Sequence, residues 1–220
     1  MRYVVGKQVI RSENAAKSVC QPCSHLVNWL RGRTSTDSAL DYGCGKLRYT
    51  AHVAARSRDI GIVDSAVQLM RTQLVAGQYG TVAEYAARTW PGCRIYTVDE
   101  FFEGIADVYD FVLCANVLSA IPSRHIRAKS LAAIRASMRD GGQLLVANQH
   151  VNSYFRTIQA SDKSRQHLDG WITDSRRGRS YYGILRKERV ASLLQSAGFH
   201  VMDAWIAGSS NYVLAAKEEL

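Results

Sequence analysis

Short apolar runs alternate with stretches of helical periodicity along most of this chain. Ala39-Leu40, Ile60-Gly61-Ile62-Val63, Arg94-Ile95-Tyr96-Thr97-Val98, Tyr109–Ala115 and Gln143-Leu144-Leu145-Val146-Ala147 read as five buried strands. Between them, helices are predicted over residues 49–56, from the cap Ser65 to Leu74, over Val82–Thr89, and from Pro122 to about Met138. Ile126, Leu131, Ile134 and Met138 mark one face of the last. Strands and helices at this rhythm mean a mostly parallel sheet covered on both faces.

The rhythm breaks at the two ends. Before the first strand, residues 3–5 and 8–10 read as a short extended arm. A helix capped by Ser12 or Asn14, interrupted at Pro22 and resumed at Leu26, Val27, Trp29 and Leu30, completes a helical lead-in over 1–38. After the fifth strand, residues 149–185 are polar, basic and aromatic, an insertion in the domain that runs over 39–220. A helix over 187–197 and strands over 199–206 and 211–216 follow. Four residues, Ala207-Gly208-Ser209-Ser210, join those strands; so short a link makes an antiparallel hairpin, not a crossover.

One strand end carries the candidate chemistry. Asp41-Tyr42-Gly43-Cys44-Gly45 turns from strand towards helix, and such a turn aims backbone N–H groups at a ligand above it. Asp64 ends the second strand, 23 positions after Asp41, near the spacing of about 20 residues expected for a carboxylate that holds ribose hydroxyls.

Length and composition fit one domain: 220 residues, 47% hydrophobic and 21% charged. With no apolar run of membrane length and no signal-peptide core, the expectation is a soluble cytoplasmic protein with no membrane partner. Five cysteines without a secretion signal read as reduced thiols. Cys20-Gln21-Pro22-Cys23 lacks a second ligand pair, so helix cysteines are preferred to zinc even with His25 close by, and no metal is expected.

The net charge of +9 is uneven. Residues 1–38 carry six Lys/Arg against two acids, and residues 151–189 carry nine against four. These basic segments suit an anionic small molecule or nucleic acid, and equally a solvated surface.

The set Asp41-Tyr42-Gly43-Cys44-Gly45, Asp64, Tyr109–Ala115 with Asn116-Val117-Leu118, Arg139-Asp140-Gly141-Gly142-Gln143-Leu144-Leu145 and Ala197-Gly198-Phe199 resembles the class I S-adenosylmethionine-dependent methyltransferases. The resemblance implies a Rossmann-like α/β fold, a seven-stranded mostly parallel sheet with a terminal antiparallel hairpin and helices on both faces. It implies S-adenosyl-L-methionine as cofactor, with Asp41, Gly43 and Gly45 around its methionine part, Asp64 on the ribose, Asp99 beside the adenine and Asn116 near the sulfonium. Leu47 stands where the family often has a third glycine.

For the acceptor, absences speak. No Asp/Asn-Pro-Pro-Tyr/Phe and no Pro-Cys follows the fourth strand, which argues against methylation of DNA bases at exocyclic amines or at cytosine carbon. The favoured acceptor is a small or anionic molecule taking the methyl on O or N. Nucleic acid is the alternative, and a cofactor-binding module without turnover or a nicotinamide oxidoreductase are readings of other classes. His150, and after it His125, is the candidate general base; Arg176, Arg177, Arg179 and Tyr181 are candidate substrate contacts. The sequence leaves the oligomeric state open.

Overall fold

The computed structural model describes residues 2–16, 19–149, 153–175 and 178–218. Its main sheet has seven strands: β3 (Thr36–Tyr42), β4 (Ser57–Asp64), β7 (Arg94–Thr97), β8 (Tyr109–Ala115), β9 (Met138–Gln149), β13 (Phe199–Ala207) and β14 (Ser210–Lys217). They lie in the order β13-β14-β9-β8-β3-β4-β7. The five strands from β9 to β7 are parallel, and β14 runs antiparallel to both β9 and β13. This is the expected sheet.

Alternation along each strand sends side chains to two cores. On one face Leu40, Val112, Val146 and Val213 pack with Phe101 of α5 (Val98–Glu103), Leu131 and Ile134 of α6 (Arg124–Ala136), and Val190 and Leu194 of α8 (Lys187–Ser196). On the other, Ala39, Phe111, Leu113 and Leu145 meet Leu26, Val27 and Leu30 of α1 (Ser24–Gly32) and Val53 of α2 (Thr50–Ala54). The same face continues over Ile62 to Leu69 of α3 (Ala66–Met70) and to Val82 and Ala86 of α4 (Val82–Thr89).

Two expectations need correction. The helix from Ser65 ends at Met70; Leu74 belongs to a hairpin of β5 (Gln73–Val75) and β6 (Gln78–Gly80). Its turn residues Ala76 and Gly77 both have positive φ, the pattern of a tight hairpin turn, which one-dimensional periodicity does not register. The lead-in is helical only at α1 and in a 3-10 turn over Ser12–Ala15. Ahead of that turn stands a hairpin of β1 (Arg2–Val5) and β2 (Gln8–Arg11).

That hairpin joins the insertion, which folds as α7 (Ser153–Gln159), β10 (Ser164–His167), β11 (Gly170–Ser175) and β12 (Gly178–Gly183). The two segments, far apart in sequence, form one five-stranded sheet in the order β1-β2-β12-β11-β10. Ile10, Ile172 and Tyr181 make its small core, with Tyr3 and Val5 against it.

This roof is fastened to the body by a buried cation. Arg127 of α6 is 1% exposed. It grips the Asp169 carboxylate with both terminal nitrogens, Nη2 at 2.8 Å, and donates from Nε to the Ile121 carbonyl at 2.9 Å and from Nη2 to the Tyr181 hydroxyl at 3.2 Å. His167 Nε2 donates to the Pro122 carbonyl at 2.9 Å. A forked guanidinium can satisfy a carboxylate and a carbonyl together, which is what makes its burial tolerable.

Candidate active site

A cleft with about 1210 Å³ of empty space, open to solvent, lies between the C-terminal ends of β3, β4 and β8 and the roof. Its floor is the glycine turn. Gly43 and Gly45 have φ of +77° and +59°. A Cβ on Gly43 would stand 2.2 Å from Val117 Cγ2, so that residue is glycine for space as well as for dihedral. Leu47 has φ +63°: the left-handed conformation of the missing third glycine is kept by a leucine whose side chain is buried with Ile62 and Leu69.

Asp41 and Asp64 both line the cleft. Asp41 is 3% exposed and accepts a hydrogen bond from the Thr50 hydroxyl at 2.6 Å. Burial pushes its carboxyl up to about 7, with the nearby Asp64 charge adding to the rise. Asp64 accepts from the Gly45 N–H at 2.8 Å on one oxygen and from the Ser65 N–H at 2.7 Å on the other. Burial raises its pKa too, against the pull of these donors. The turn and the acid are therefore one structure, closed by a backbone hydrogen bond.

Gln68 and Arg71 extend it. Gln68 Nε2 donates to the Gly45 carbonyl at 2.7 Å, and Arg71 Nη2 donates to Gln68 Oε1 at 2.6 Å and to the Glu13 carbonyl at 3.2 Å. The 3-10 turn is thereby tied to the glycine turn across the cleft mouth, where Tyr3, Ser12 and Glu13 also face in. Sequence reasoning missed Tyr3, Glu13, Gln68 and Arg71. Ordinary polar side chains become site residues only through contacts such as the one between positions 13 and 71.

Asn116 lines the cleft at the end of β8 with φ +61°. Its N–H donates to the Ala147 carbonyl at 2.7 Å and its Oδ1 accepts from the Gln149 N–H at 3.0 Å, so it also splices the ends of β8 and β9. Asp99 does not line the cleft; it is exposed on the first turn of α5, and Val98 faces in. The cause is a capping box between Thr97 and Glu100 that starts the helix at once and rotates position 99 outward.

The expected substrate contacts divide. Tyr181 is in the cleft wall, but its hydroxyl is taken by Asp169 and Arg127. Arg179 is not a cleft residue; its Nε pairs with Asp174 at 2.8 Å on the outer part of the roof. Arg176, Arg177 and His150 lie outside the described residues. Cys20 is exposed, and Cys23 approaches the Tyr212 hydroxyl at 3.4 Å. No group of three or more potential metal ligands occurs among the described residues, and no described helix is long and apolar enough to cross a membrane.

Sheet order 3-2-1-4-5-7-6 in parallel-strand terms, with a glycine turn at the first strand and an acid at the second, defines the class I S-adenosylmethionine-dependent methyltransferase fold. No family model matches the chain. Among solved structures it is similar to an S-adenosylmethionine-dependent methyltransferase from Clostridium acetobutylicum ATCC 824, at TM-score 0.61 and 13% identity over 83% of this chain and 85% of that one. It is also similar to the 1,6-didemethyltoxoflavin-N1-methyltransferase of Burkholderia thailandensis, at TM-score 0.61 and 17% identity over 93% and 80% of the two chains. In sequence it is 34% identical over 204 residues to the uncharacterized protein YmfD of Escherichia coli (strain K12), covering 93% of this chain and 90% of that protein. The chain has the class I S-adenosylmethionine-dependent methyltransferase fold and belongs to one family with YmfD.

Proposed function

We propose that this protein transfers a methyl group from S-adenosyl-L-methionine to an oxygen or nitrogen atom of a small molecule held beneath the roof sheet. The observation that carries the reading is the hydrogen bond from the Gly45 N–H to Asp64 at 2.8 Å, which brings loop and acid close enough to serve one ligand. The residues present fit that cofactor. Asp64 Oδ2 accepts the Gly45 N–H and keeps a lone pair for a ribose hydroxyl, while Oδ1 accepts from the Ser65 N–H and hydroxyl. Val98 offers an apolar face for a base, and the bare Gly43 lets the methionine part approach the backbone.

When bound, the cofactor supplies an electrophilic methyl on sulfur. The chain's own part is to position and to exclude water. Asn116, fixed by two strands, sets the floor where that sulfur would lie. The roof residues Tyr3, Phe155, Tyr181 and Tyr182 enclose the space opposite. An aromatic ceiling closed by two sheets suits a small flat acceptor better than a nucleic-acid strand. That favours the methylation of a small heterocycle named for the Burkholderia protein as the type of chemistry. Cytoplasmic action accords with five free cysteines.

The test is transfer of radiolabelled methyl from the cofactor into fractionated cell extract. Label in the small-molecule fraction is the expected result. Label in nucleic acid would replace the acceptor assignment, and cofactor binding without any transfer would make the protein a non-catalytic binding module.

A further inference from the structure

The cleft wall carries two cations among its described residues, Lys46 and Arg48. Arg48 is the unusual one. Its Nε is buried and has no hydrogen-bond partner, and the side chain makes no ion pair or hydrogen bond with any described residue. Its guanidinium lies 4.9 Å from the ring centre of Tyr49, whose own hydroxyl accepts from the Cys23 N–H at 3.2 Å. Arg33 and Arg71 also leave a buried Nε unpartnered, but their terminal nitrogens find acceptors, Arg33 at Val53 and Ser57 and Arg71 at Gln68 and Glu13, and the fully buried Arg127 pairs with Asp169. A guanidinium desolvated on one side and left without an acceptor is a site waiting for an anion.

We propose that Arg48 is the anion-binding residue of the cleft and that the group it takes is a carboxylate. The inference rests on the methyltransferase reading and deepens it. Stacking over Tyr49 holds one face of the guanidinium and leaves its edge, a planar fork, to meet a planar monoanion. A single unpartnered cation matches one negative charge. A phosphate would need more, and the helix that begins here has only five residues, too few to add a strong dipole. Two sources present such a carboxylate: the amino-acid end of the cofactor, since Arg48 lies three residues past Gly45, and an acid group on the acceptor. The acids that line the cleft, Glu13, Asp41 and Asp64, make no ion pair with Arg48, so the position is not used to neutralise the protein's own charge.

Calorimetry on the full chain separates the sources. The probes are S-adenosylhomocysteine and 5′-methylthioadenosine, which share nucleoside and sulfur but differ in the amino-acid end. Benzoate and benzamide are then titrated into protein saturated with S-adenosylhomocysteine. If the cofactor is the source, wild type binds S-adenosylhomocysteine at least tenfold tighter than methylthioadenosine. Arg48→Gln then brings that ratio towards one without changing methylthioadenosine affinity, and Arg48→Lys keeps part of it. If the acceptor is the source, that ratio is indifferent to Arg48→Gln, while a preference of wild type for benzoate over benzamide is lost. Neither preference responding to Arg48→Gln, in a variant whose thermal midpoint matches wild type, overturns the proposal. Wild type binding neither nucleoside overturns the methyltransferase reading itself, and the inference with it.

Discussion

The floor and the roof of the cleft are built by opposite means. The floor is local: Thr50 reaches Asp41 across nine positions and Gly45 reaches Asp64 across 19. Its buried carboxylates are held by hydroxyls and backbone N–H groups, and no Lys or Arg of the described residues pairs with them. The roof is assembled from afar. Arg127 meets Asp169 across 42 positions and Tyr181 across 54, and β2 pairs with β12 through Ile10 and Arg179. Its polar anchor is a charge pair taken out of water. A floor made of short-range contacts forms as one unit and can hold strained dihedrals; a roof made of long-range contacts depends on a few fastenings.

Breaking the main fastening should give the largest effect. Arg127→Met leaves Asp169 without its partner and should lower stability by about 3–5 kcal/mol, read as a fall in thermal midpoint. Adding Asp169→Leu should recover a substantial part, since the pair replaced by apolar groups leaves no buried charge. A single variant as stable as wild type would mean the roof is held by other contacts.

On the floor, Asp64→Ala should weaken S-adenosylhomocysteine binding roughly 100-fold, about 2.7 kcal/mol, while the far-ultraviolet spectrum is retained. Unchanged affinity in calorimetry would remove the ribose assignment.

The buried floor carboxyls should also shape pH dependence. Asp41 titrates near 7 in the folded protein and near its ordinary value of 3.8 when unfolded. Between those values the folded state holds a proton that the unfolded chain has released. Stability from this group therefore falls as pH rises from about 4 to about 7, then levels off. Asp64, also raised, adds a slope of the same sign. Asp41→Asn should flatten the profile of denaturation midpoint against pH over that window; an unaltered slope would contradict the assignment.

The smallest effect is expected outside the cleft. Arg179→Ala removes an exposed pair with Asp174 and should change stability by no more than about 0.5 kcal/mol and cofactor affinity not at all. A strong loss of acceptor turnover in this variant would bring Arg179 back as a substrate contact.

Legibility follows the same division. Asp41, Gly43, Gly45 and Asp64 were readable because a strand, a tight turn and a strand end leave fixed spacings. The five parallel strands of the main sheet were readable because buried parallel strands are near-continuous apolar runs, and the last two because a four-residue link makes a hairpin. Asp99 stands outside the cleft because a capping box at Thr97 starts a short helix there, α5, that the apolar pattern does not announce. The extended arm at residues 3–5 and 8–10 was legible, but its pairing with the β10–β12 meander was not, since the two lie about 160 positions apart and the meander is mostly polar. Arg127 reads from sequence as a polar residue on an otherwise amphipathic helix, yet it is among the most buried side chains.

By itself the sequence determined where the strands of the main sheet lie along the chain, the turn at Gly43–45 and the acid one strand away, because each depends on residues within about two dozen positions. Tertiary structure alone decided that the two ends of irregular sequence pair into one roof and that Arg127 is buried beneath it. It also decided that Arg48 faces the cleft without a partner. Those outcomes depend on which surfaces meet when the chain closes, and a charged side chain carries no mark of the neighbour it will find.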